Sequence, residues 1–114
     1  MTKGDITRKK ILEAAEEIFA NKGLAGARVD EIAKMAGVNK RMIYAYFESK
    51  ENLYVTVLKI VYSRLAELEK TIDSLASPED AVRKFIQGYF KFLNDNPNFV
   101  SLVLWENLNK AEFI

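Results

Sequence analysis

VNKRMIYAYFESK, residues 38–50, is the stretch from which the fold of this chain can be inferred. It places three cationic side chains, two tyrosines and a phenylalanine within one short segment. Ile43 and Phe47 are four residues apart, so on a helix they form one apolar stripe that can pack on neighbouring helices, with Val38 at its entry. The other positions then face outward or lie at the edges of the outward face: Lys40, Arg41, Met42, Tyr44, Ala45 and Tyr46.

The residues around this stripe predict a helix-turn-helix. Asn39 can cap a helix over Lys40–Phe47, because an asparagine oxygen accepts hydrogen bonds from the unpaired amides of a first turn. Gly37 ends the preceding helix, which we predict over Val29–Met35. Two helices this short, separated by about four residues that include a glycine, are typical of a helix-turn-helix.

A first helix is predicted from Asp5 to Asn21. Asp5 is its predicted N-cap, and its apolar residues repeat at helical spacing: Ile11, Leu12, Ala15, Ile18 and Phe19. Gly23 marks its end because glycine readily adopts a left-handed C-terminal conformation. Residues 24–28 are then expected to form a loop.

The rest of the chain also has a helical pattern. Ser49 caps a long fourth helix that starts at Lys50. Its apolar seam steps by three and four: Leu58, Val61, Leu65, Leu68, Ile72 and Leu75. A fifth helix starts after a cap at Ser77 and ends near Leu93, and a sixth covers residues 98–111. No segment alternates with period two, so the predicted fold class is all-α.

Composition narrows the class of protein. The 114 residues include no cysteine and no histidine, which removes disulfides, zinc-thiolate sites and the commonest general base. No apolar run reaches the roughly 18 residues of a membrane span, and the first residues lack the apolar core of a secretory signal. We therefore expect a cytoplasmic protein without a metal or a cofactor. Residues 1–54 carry ten Lys/Arg against eight Asp/Glu, an excess of two positive charges.

The outward face of the helix after Asn39 has the composition of a surface that lies in a DNA groove. Lysine, arginine and tyrosine side chains reach phosphate oxygens, Arg41 or Lys40 can read guanine, and small or apolar residues such as Ala45 contact thymine methyl groups. Lys50 lies in the first turn of the next helix, where its ammonium and the free backbone amides can hold a phosphate together. A solvated basic face has the same composition, so both interpretations stay open here.

Residues 6–54 resemble the N-terminal domain of the tetracycline-repressor (TetR) family of bacterial transcriptional regulators. The resemblance lies in ILEAAEEIFANKG, residues 11–23, and in VDEIAKMAGVNKRMIYAYFESKENLY, residues 29–54. It implies a three-helix, helix-turn-helix DNA-binding domain at residues 1–49 and part of a helical ligand-binding and dimerisation domain at residues 50–114. It also implies the following DNA contacts: Arg28, Asn39, Lys40, Arg41, Met42, Tyr44, Ala45, Tyr46 and Lys50.

The same resemblance implies a sequence-specific regulator, a repressor that a small-molecule effector releases from its operator. A homodimer places two reading helices about 34–36 Å apart on an inverted-repeat operator. Members of the family run well past the length of this chain, so we expect a truncated sequence that lacks the dimerisation helices. The chain departs from the family pattern at Ala27-Arg28, where a capping Thr or Ser is usual, and at Lys40-Arg41, where a small or neutral pair is frequent.

Aromatic residues are concentrated in the second half of the chain: Phe85, Tyr89, Phe90, Phe92, Phe99, Trp105 and Phe113. The resemblance implies that some of them line an effector pocket, and we take Tyr89, Phe92 and Trp105 as the candidate ligand-binding residues. Aromatic residues at helical spacing are also typical of a core. A third interpretation is a surface left bare by truncation.

Two other functions compete with the regulator. One is a helical protein-interaction module that binds an acidic partner through its tyrosine, lysine and arginine side chains. The other is an enzyme that uses carboxylates such as Asp30, Glu31 or Asp95. These acids lie at helix starts and turns, where helix capping explains them. We therefore do not expect an enzyme.

Overall fold

The computed structural model describes residues 2–73 and 77–109, and every regular element among them is an α-helix. The helices follow one another along the chain: α1 (Lys3–Gly26), α2 (Val29–Ala36), α3 (Lys40–Phe47), α4 (Lys50–Asp73), α5 (Pro78–Asp95) and α6 (Pro97–Leu108). The all-α prediction is confirmed, as are the positions of α2, α3 and the start of α4. A search of these residues finds no helix with the length and apolarity needed to cross a membrane.

α1 begins earlier than predicted. Its N-cap is Thr2, whose hydroxyl accepts a hydrogen bond from the Asp5 amide at 3.1 Å, while the Asp5 carboxylate accepts one from the Thr2 amide at 3.2 Å. This reciprocal capping box satisfies amides that a helix start leaves unpaired. Asp5 is therefore the third residue of the helix and not its cap. The prediction was wrong because an aspartate suits both positions.

α1 also ends later than predicted, with a break at Gly23. Gly23 has φ 72° and ψ 176°, and one more helical turn leads to Gly26. The break confirms that the first helical segment ends at the predicted glycine, but the helix resumes beyond it to Gly26, so the loop predicted at residues 24–28 is wrong for residues 24–26. The break coincides with a long-range contact, since Trp105 of α6 lies against Gly23 and its indole N–H donates to the Ala20 carbonyl at 3.0 Å.

The turn between α2 and α3 has the predicted chemistry. Gly37 is left-handed, with φ 72° and ψ 31°, and the Val38 amide donates to the Ala33 carbonyl at 3.0 Å. Asn39 caps α3, because its side-chain oxygen accepts a hydrogen bond from the Met42 amide at 3.0 Å. Both features are local properties of the residue types, which is why the sequence predicts them.

One hydrophobic core includes residues from all six helices. Apolar side chains in the first turns of α4 are fully buried: Leu53, Tyr54 and Val57. The ring of Tyr54 meets Phe19 of α1 edge-on, with the centroids 5.0 Å apart. α5 and α6 join the core where Phe92 meets Phe99 edge-on at 5.1 Å. The helix-turn-helix and the later helices are therefore packed as one body.

The apolar seam predicted along α4 is confirmed in the part of the chain that the structure describes. Leu58 and Val61 are buried, and Leu65 and Leu68 are partly buried against the core. The other predicted seam positions, Ile72 and Leu75, lie outside the described side chains. Residues 110–114, which include the predicted end of the sixth helix, also lie outside the described residues.

Glu16 of α1 joins three helices through polar contacts. Its carboxylate accepts a hydrogen bond from the Arg64 guanidinium of α4 at 2.7 Å and one from the Asn98 side chain of α6 at 2.8 Å. Burial opposes the charge on Glu16, but the hydrogen bonds from Arg64 and Asn98 outweigh it and lower the pKa of this carboxyl. The junction therefore stabilises the fold while Glu16 is ionised.

α6 has a second polar contact with α4. Glu106 is fully buried, and its carboxylate accepts a hydrogen bond from the Tyr54 hydroxyl. Burial and this hydrogen bond raise the pKa of Tyr54 well above its usual value. Tyr54 lies one helical turn beyond Lys50, so Glu106 fixes α6 to the end of α4 that adjoins α3.

Substitution of individual glycines tests the contact between α6 and α1. Gly23→Ala combines a backbone that essentially only glycine adopts, with φ 72° and ψ 176°, and a collision, because the added Cβ lies 2.7 Å from the Trp105 ring. We expect it to lower the free energy of unfolding by about 2–3 kcal/mol. Gly37→Ala has the same φ but no atom within 4 Å of the new Cβ, so we expect a loss of about 1 kcal/mol.

Gly26→Ala is the control, since Gly26 is helical without a positive φ and the nearest atom to its added Cβ lies at 3.4 Å. It should be neutral or stabilising, because alanine favours the helix. Urea unfolding followed by circular dichroism measures all three variants. Equal losses for Gly23→Ala and Gly37→Ala would mean that the indole yields without cost.

A pH titration of stability tests the Glu16 junction. The pKa of Glu16 is lowered in the folded chain from an ordinary value of 4.5. Its contribution is therefore complete above that value and is lost as the pH falls through the folded-state pKa. Arg64→Met removes the main partner, so its stability should fall less steeply than that of the wild type between about pH 5 and pH 3.

Lys9→Met is the matched control for this titration. Lys9 pairs with Glu13 at 4.0 Å, and both side chains are about two-thirds exposed. Such exposed pairs contribute little to stability, so Lys9→Met should keep the wild-type pH profile. A wild-type profile in Arg64→Met as well would show that the junction contributes nothing.

Candidate nucleic-acid interface

α3 is held by two side chains and exposes the others. Ile43 and Phe47 are its buried residues. The exposed side of the helix, together with its N-cap, consists of residues predicted to contact DNA: Asn39, Lys40, Arg41, Met42, Tyr44, Ala45 and Tyr46. We call this surface the α3 face. The structure thus brings seven of the predicted site residues together on one surface.

The start of α1 lies beside the α3 face. A Cβ at Gly4 would be 3.2 Å from the Tyr46 hydroxyl, which places this tyrosine over the first turn of α1. The Arg8 guanidinium lies 5.2 Å from the centroid of the Phe47 ring, a cation–π arrangement on the buried side of α3. Sequence reasoning missed this neighbourhood because these residues are far apart in the chain and carry no common motif.

A cleft of about 480 Å³ opens beside the α3 face, between the starts of α2 and α4. Four predicted site residues line it, namely Arg28, Lys40, Tyr44 and Lys50. Acidic residues line the same cleft: Asp30, Glu48 and Glu51. The formal charges of these lining side chains cancel, a balance that the sequence analysis did not predict.

The cations of the cleft differ in what already holds them. Lys40 pairs with Asp30 across the helix-turn-helix, with the ammonium nitrogen 3.2 Å from a carboxylate oxygen. Lys50 donates a hydrogen bond of 3.1 Å to the backbone carbonyl of Ala27. Arg28 is exposed and forms no ion pair with any residue that the structure describes.

Lys50 has a structural contact that the sequence did not predict. It lies in the first turn of α4, where a cation opposes the helix macrodipole. Its side chain leaves that turn and donates to the carbonyl of Ala27, the C-cap of α1. An ammonium group has three donors, so this contact leaves others for a phosphate. The phosphate contact of Lys50 stays a prediction.

A strained turn joins α3 to α4. Glu48 has φ 69° and ψ −46°, and across it the Ser49 amide donates to the Phe47 carbonyl at 2.8 Å. This is a γ-turn of the rare positive-φ form, and such strain costs about 1–3 kcal/mol. Ser49 caps α4 as predicted, since its hydroxyl accepts from the Asn52 amide at 3.0 Å. One residue therefore sets the angle between α3 and α4.

The residues predicted to bind an effector have separate packing partners. Phe92 is buried in the core, where it meets Phe99 edge-on. Trp105 is half-buried and holds α6 to the end of α1. Tyr89 is half-buried and stacks on Phe85, with the ring centroids 5.7 Å apart. Two of the three side chains thus have packing roles in the fold.

A capped helix after a tight turn, with cations and tyrosine hydroxyls on its outward side, defines the helix-turn-helix class of DNA-binding domains. Two family models match the chain. Residues 11–57 match the bacterial regulatory proteins of the tetR family, and residues 78–114 match the tetracyclin repressor-like C-terminal domain. The chain belongs to the TetR family of transcriptional regulators, which confirms the resemblance seen in residues 6–54.

Individual relatives agree with this assignment. The transcriptional repressor NicS of Pseudomonas putida is 37% identical over 108 residues, which are 94% of this chain and 51% of NicS. The repressor SCO4008 of Streptomyces coelicolor is 35% identical over 108 residues, which are 91% of this chain and 51% of SCO4008. The solved structure of the regulator SCO4942 from the same species matches this chain with a TM-score of 0.80 at 37% identity. The match covers 94% of this chain and 56% of SCO4942. The chain spans about half the length of the curated relatives it matches.

Lys50→Met tests the structural contact of this lysine apart from any ligand. The substitution keeps the aliphatic stem but leaves the Ala27 carbonyl without the ammonium donor. We expect the free energy of unfolding to fall by about 1 kcal/mol. Lys59→Met, at an exposed position of the same helix, should change it by less than about 0.5 kcal/mol. Equal free energies of unfolding for the two variants, measured in urea, would show that Lys50 has no structural role.

Proposed function

We propose that this chain is the DNA-binding part of a sequence-specific transcriptional regulator, with α3 as the helix that enters the major groove. The observation that supports this most directly is the α3 face, the exposed side of a helix whose buried residues are Ile43 and Phe47. The proposed DNA contacts are the following: Arg28, Asn39, Lys40, Arg41, Met42, Tyr44, Ala45, Tyr46 and Lys50.

These side chains suit different parts of the duplex. Arg28 and Lys50, in the cleft beside α3, are placed to contact phosphate oxygens, which position a protein but carry no sequence information. Arg41 is exposed and has no ion pair within the described residues, so its guanidinium is available to guanine. Met42 and Ala45 offer apolar contacts to thymine methyl groups.

The proposed regulator is a repressor that binds an inverted-repeat operator as a homodimer. NicS and SCO4008, which are named transcriptional repressors, support repression. Two reading helices about 34–36 Å apart are needed for an inverted repeat, and one chain supplies a single reading helix. In this proposal residues 1–49 form the DNA-binding domain, and residues 50–114 belong to the part that binds an effector and dimerises, with Lys50 at its start also contacting DNA.

A small-molecule effector is proposed to release the operator by acting on α5 and α6. Tyr89 has a half-buried ring that carries a hydroxyl group, so it suits direct contact with a ligand. Phe92 and Trp105 are candidates whose displacement would disturb the packing, because Trp105 also holds α1. An effector that moves α6 therefore changes the support of the reading helix.

The proposal includes no enzymatic activity and a cytoplasmic location. Both are supported by the relatives, which are named as transcriptional repressors or regulators. A regulator of this kind acts by occupying DNA, which needs no catalytic group. It has to share a compartment with its operator.

Selection from random DNA duplexes at low and moderate salt tests this function. We expect the chain to enrich an inverted repeat if it dimerises and a single half-site if each chain reads alone. Arg41→Ala should then lower the affinity for the enriched sequence by roughly 1–3 kcal/mol and relax the preference at one base pair. Arg83→Ala removes the same charge from an exposed position on α5 and should bind like the wild type.

Two results would contradict the proposed regulator function. A chain that is folded by circular dichroism but enriches no sequence at either salt would refute the regulator. Binding of acidic proteins by the α3 face, without binding of duplexes, would then favour the protein-interaction module.

A further inference from the structure

Asp30 is a carboxylate on a surface proposed to bind a polyanion. It is exposed in the first turn of α2 and lines the cleft that also holds Arg28 and Lys50. A negative charge in this position repels any duplex. Both Asp30 and Glu31 lie in the first turn of α2, where the helix dipole favours acids, and Glu31 pairs with Lys22 on α1. The residue that Asp30 contacts is Lys40, at 3.2 Å.

We propose that Asp30 is a specificity-determining residue that makes Lys40 a reader of bases instead of an anchor for phosphates. The inference rests on the DNA-binding function proposed above. The carboxylate cancels the charge of the ammonium, so a phosphate gains little by approaching the pair. The carboxylate oxygen lies 3.2 Å from the ammonium nitrogen as an ion pair, and N–H donors of the ammonium remain for neutral acceptors such as guanine O6 and N7.

The position of Lys40 supports this role. It is the first residue of α3, and the N-terminal residues of a reading helix contact base edges in helix-turn-helix proteins. Among the cations that line the cleft, Lys40 alone lies on α3, and within the described residues it alone of these has a carboxylate partner. Arg28 and Lys50, which flank the reading helix, form no ion pair with any described residue.

The weakness of the ion pair also fits. The Lys40 and Asp30 side chains are 55% and 58% exposed, and pairs this exposed add little to the stability of a fold. Non-specific complexes take their affinity from phosphate contacts, so they lose the contribution of Lys40. A specific complex keeps the hydrogen bonds of Lys40 to the bases. Asp30 therefore raises the ratio of specific to non-specific affinity.

Asp30→Asn tests the inference in the 114-residue chain. Affinity is measured over a series of salt concentrations for the duplex enriched by selection and for a scrambled duplex of equal length. We expect non-specific affinity to rise several-fold, and the slope of log K against log salt for the scrambled duplex to steepen by about one. Asp95→Asn removes the same charge at an exposed position near the end of α5 and should behave as wild type.

The base preference of the variants distinguishes two possible roles of Asp30. Asp30 either positions Lys40 for contact with bases or only repels phosphates. Selection with Asp30→Asn should relax the preference at the same base pair that Lys40→Met relaxes. If Asp30→Asn instead raised affinity for every duplex by one factor and left the preference unchanged, the carboxylate would only repel phosphate and the inference would be wrong. Behaviour identical to that of Asp95→Asn would also overturn it.

Different results would be expected if the proposed DNA binding itself were wrong. A folded wild-type chain that binds no duplex at any salt would refute DNA binding, and this inference with it. A wild-type chain that binds duplexes at low salt but enriches no sequence would leave DNA binding standing. It would overturn the inference, because there would be no specificity for Asp30 to set.

Discussion

The burial of Ile43 and Phe47 is the constraint on which the rest of the structure depends. α3 has eight residues, and isolated helices shorter than about 12–15 residues are marginal in water. It is therefore helical because its neighbours bury those two side chains, and loss of a buried phenylalanine side chain costs about 3–5 kcal/mol. The outward positions contribute little to this burial. They are free to carry whatever the function requires, so the reading surface and the stability of the fold are set by different residues.

Charge on the interface is arranged by pairing and not by excess. The chain has a net charge of +1, and the cleft beside α3 holds acids as well as cations. Lys40 is paired with Asp30, whereas Lys50 binds the neutral carbonyl of Ala27 and keeps its charge. A neutral partner fixes the geometry of a cation without cancelling its field, while a carboxylate does both. If Asp30 has the proposed role, the choice of partner decides whether a lysine acts at long range on phosphates or at short range on bases.

Local chemistry was predictable and long-range contacts were not. Gly37 and Asn39 show their roles through backbone freedom and capping, which depend on the residue and its immediate neighbours. Gly23 was recognised by the same logic, but the extent of α1 around it is tied to Trp105, which is distant in the chain. The set of proposed DNA contacts came from a family resemblance, which records residue types and not their partners. The pairing of Lys40 with Asp30 could not be predicted from the sequence, because several acidic residues lie near Lys40 along the chain and the sequence does not show which one it contacts.

The attachment of α6 limits how the proposed effector could act on α3, the proposed reading helix. Trp105 binds the end of α1, and the neighbouring Glu106 binds Tyr54 near the start of α4. An effector that displaces α6 has to rearrange the buried Tyr54–Glu106 hydrogen bond, and loss of such a bond costs about 1–3 kcal/mol. Coupling free energies between sites are typically about 1–3 kcal/mol as well. The hydrogen bond is thus similar in size to a typical coupling free energy, and an effector of the proposed kind would disturb it by displacing α6. Its place one turn beyond Lys50 means that the disturbance enters α4 at the end where Glu48 sets the angle of α3.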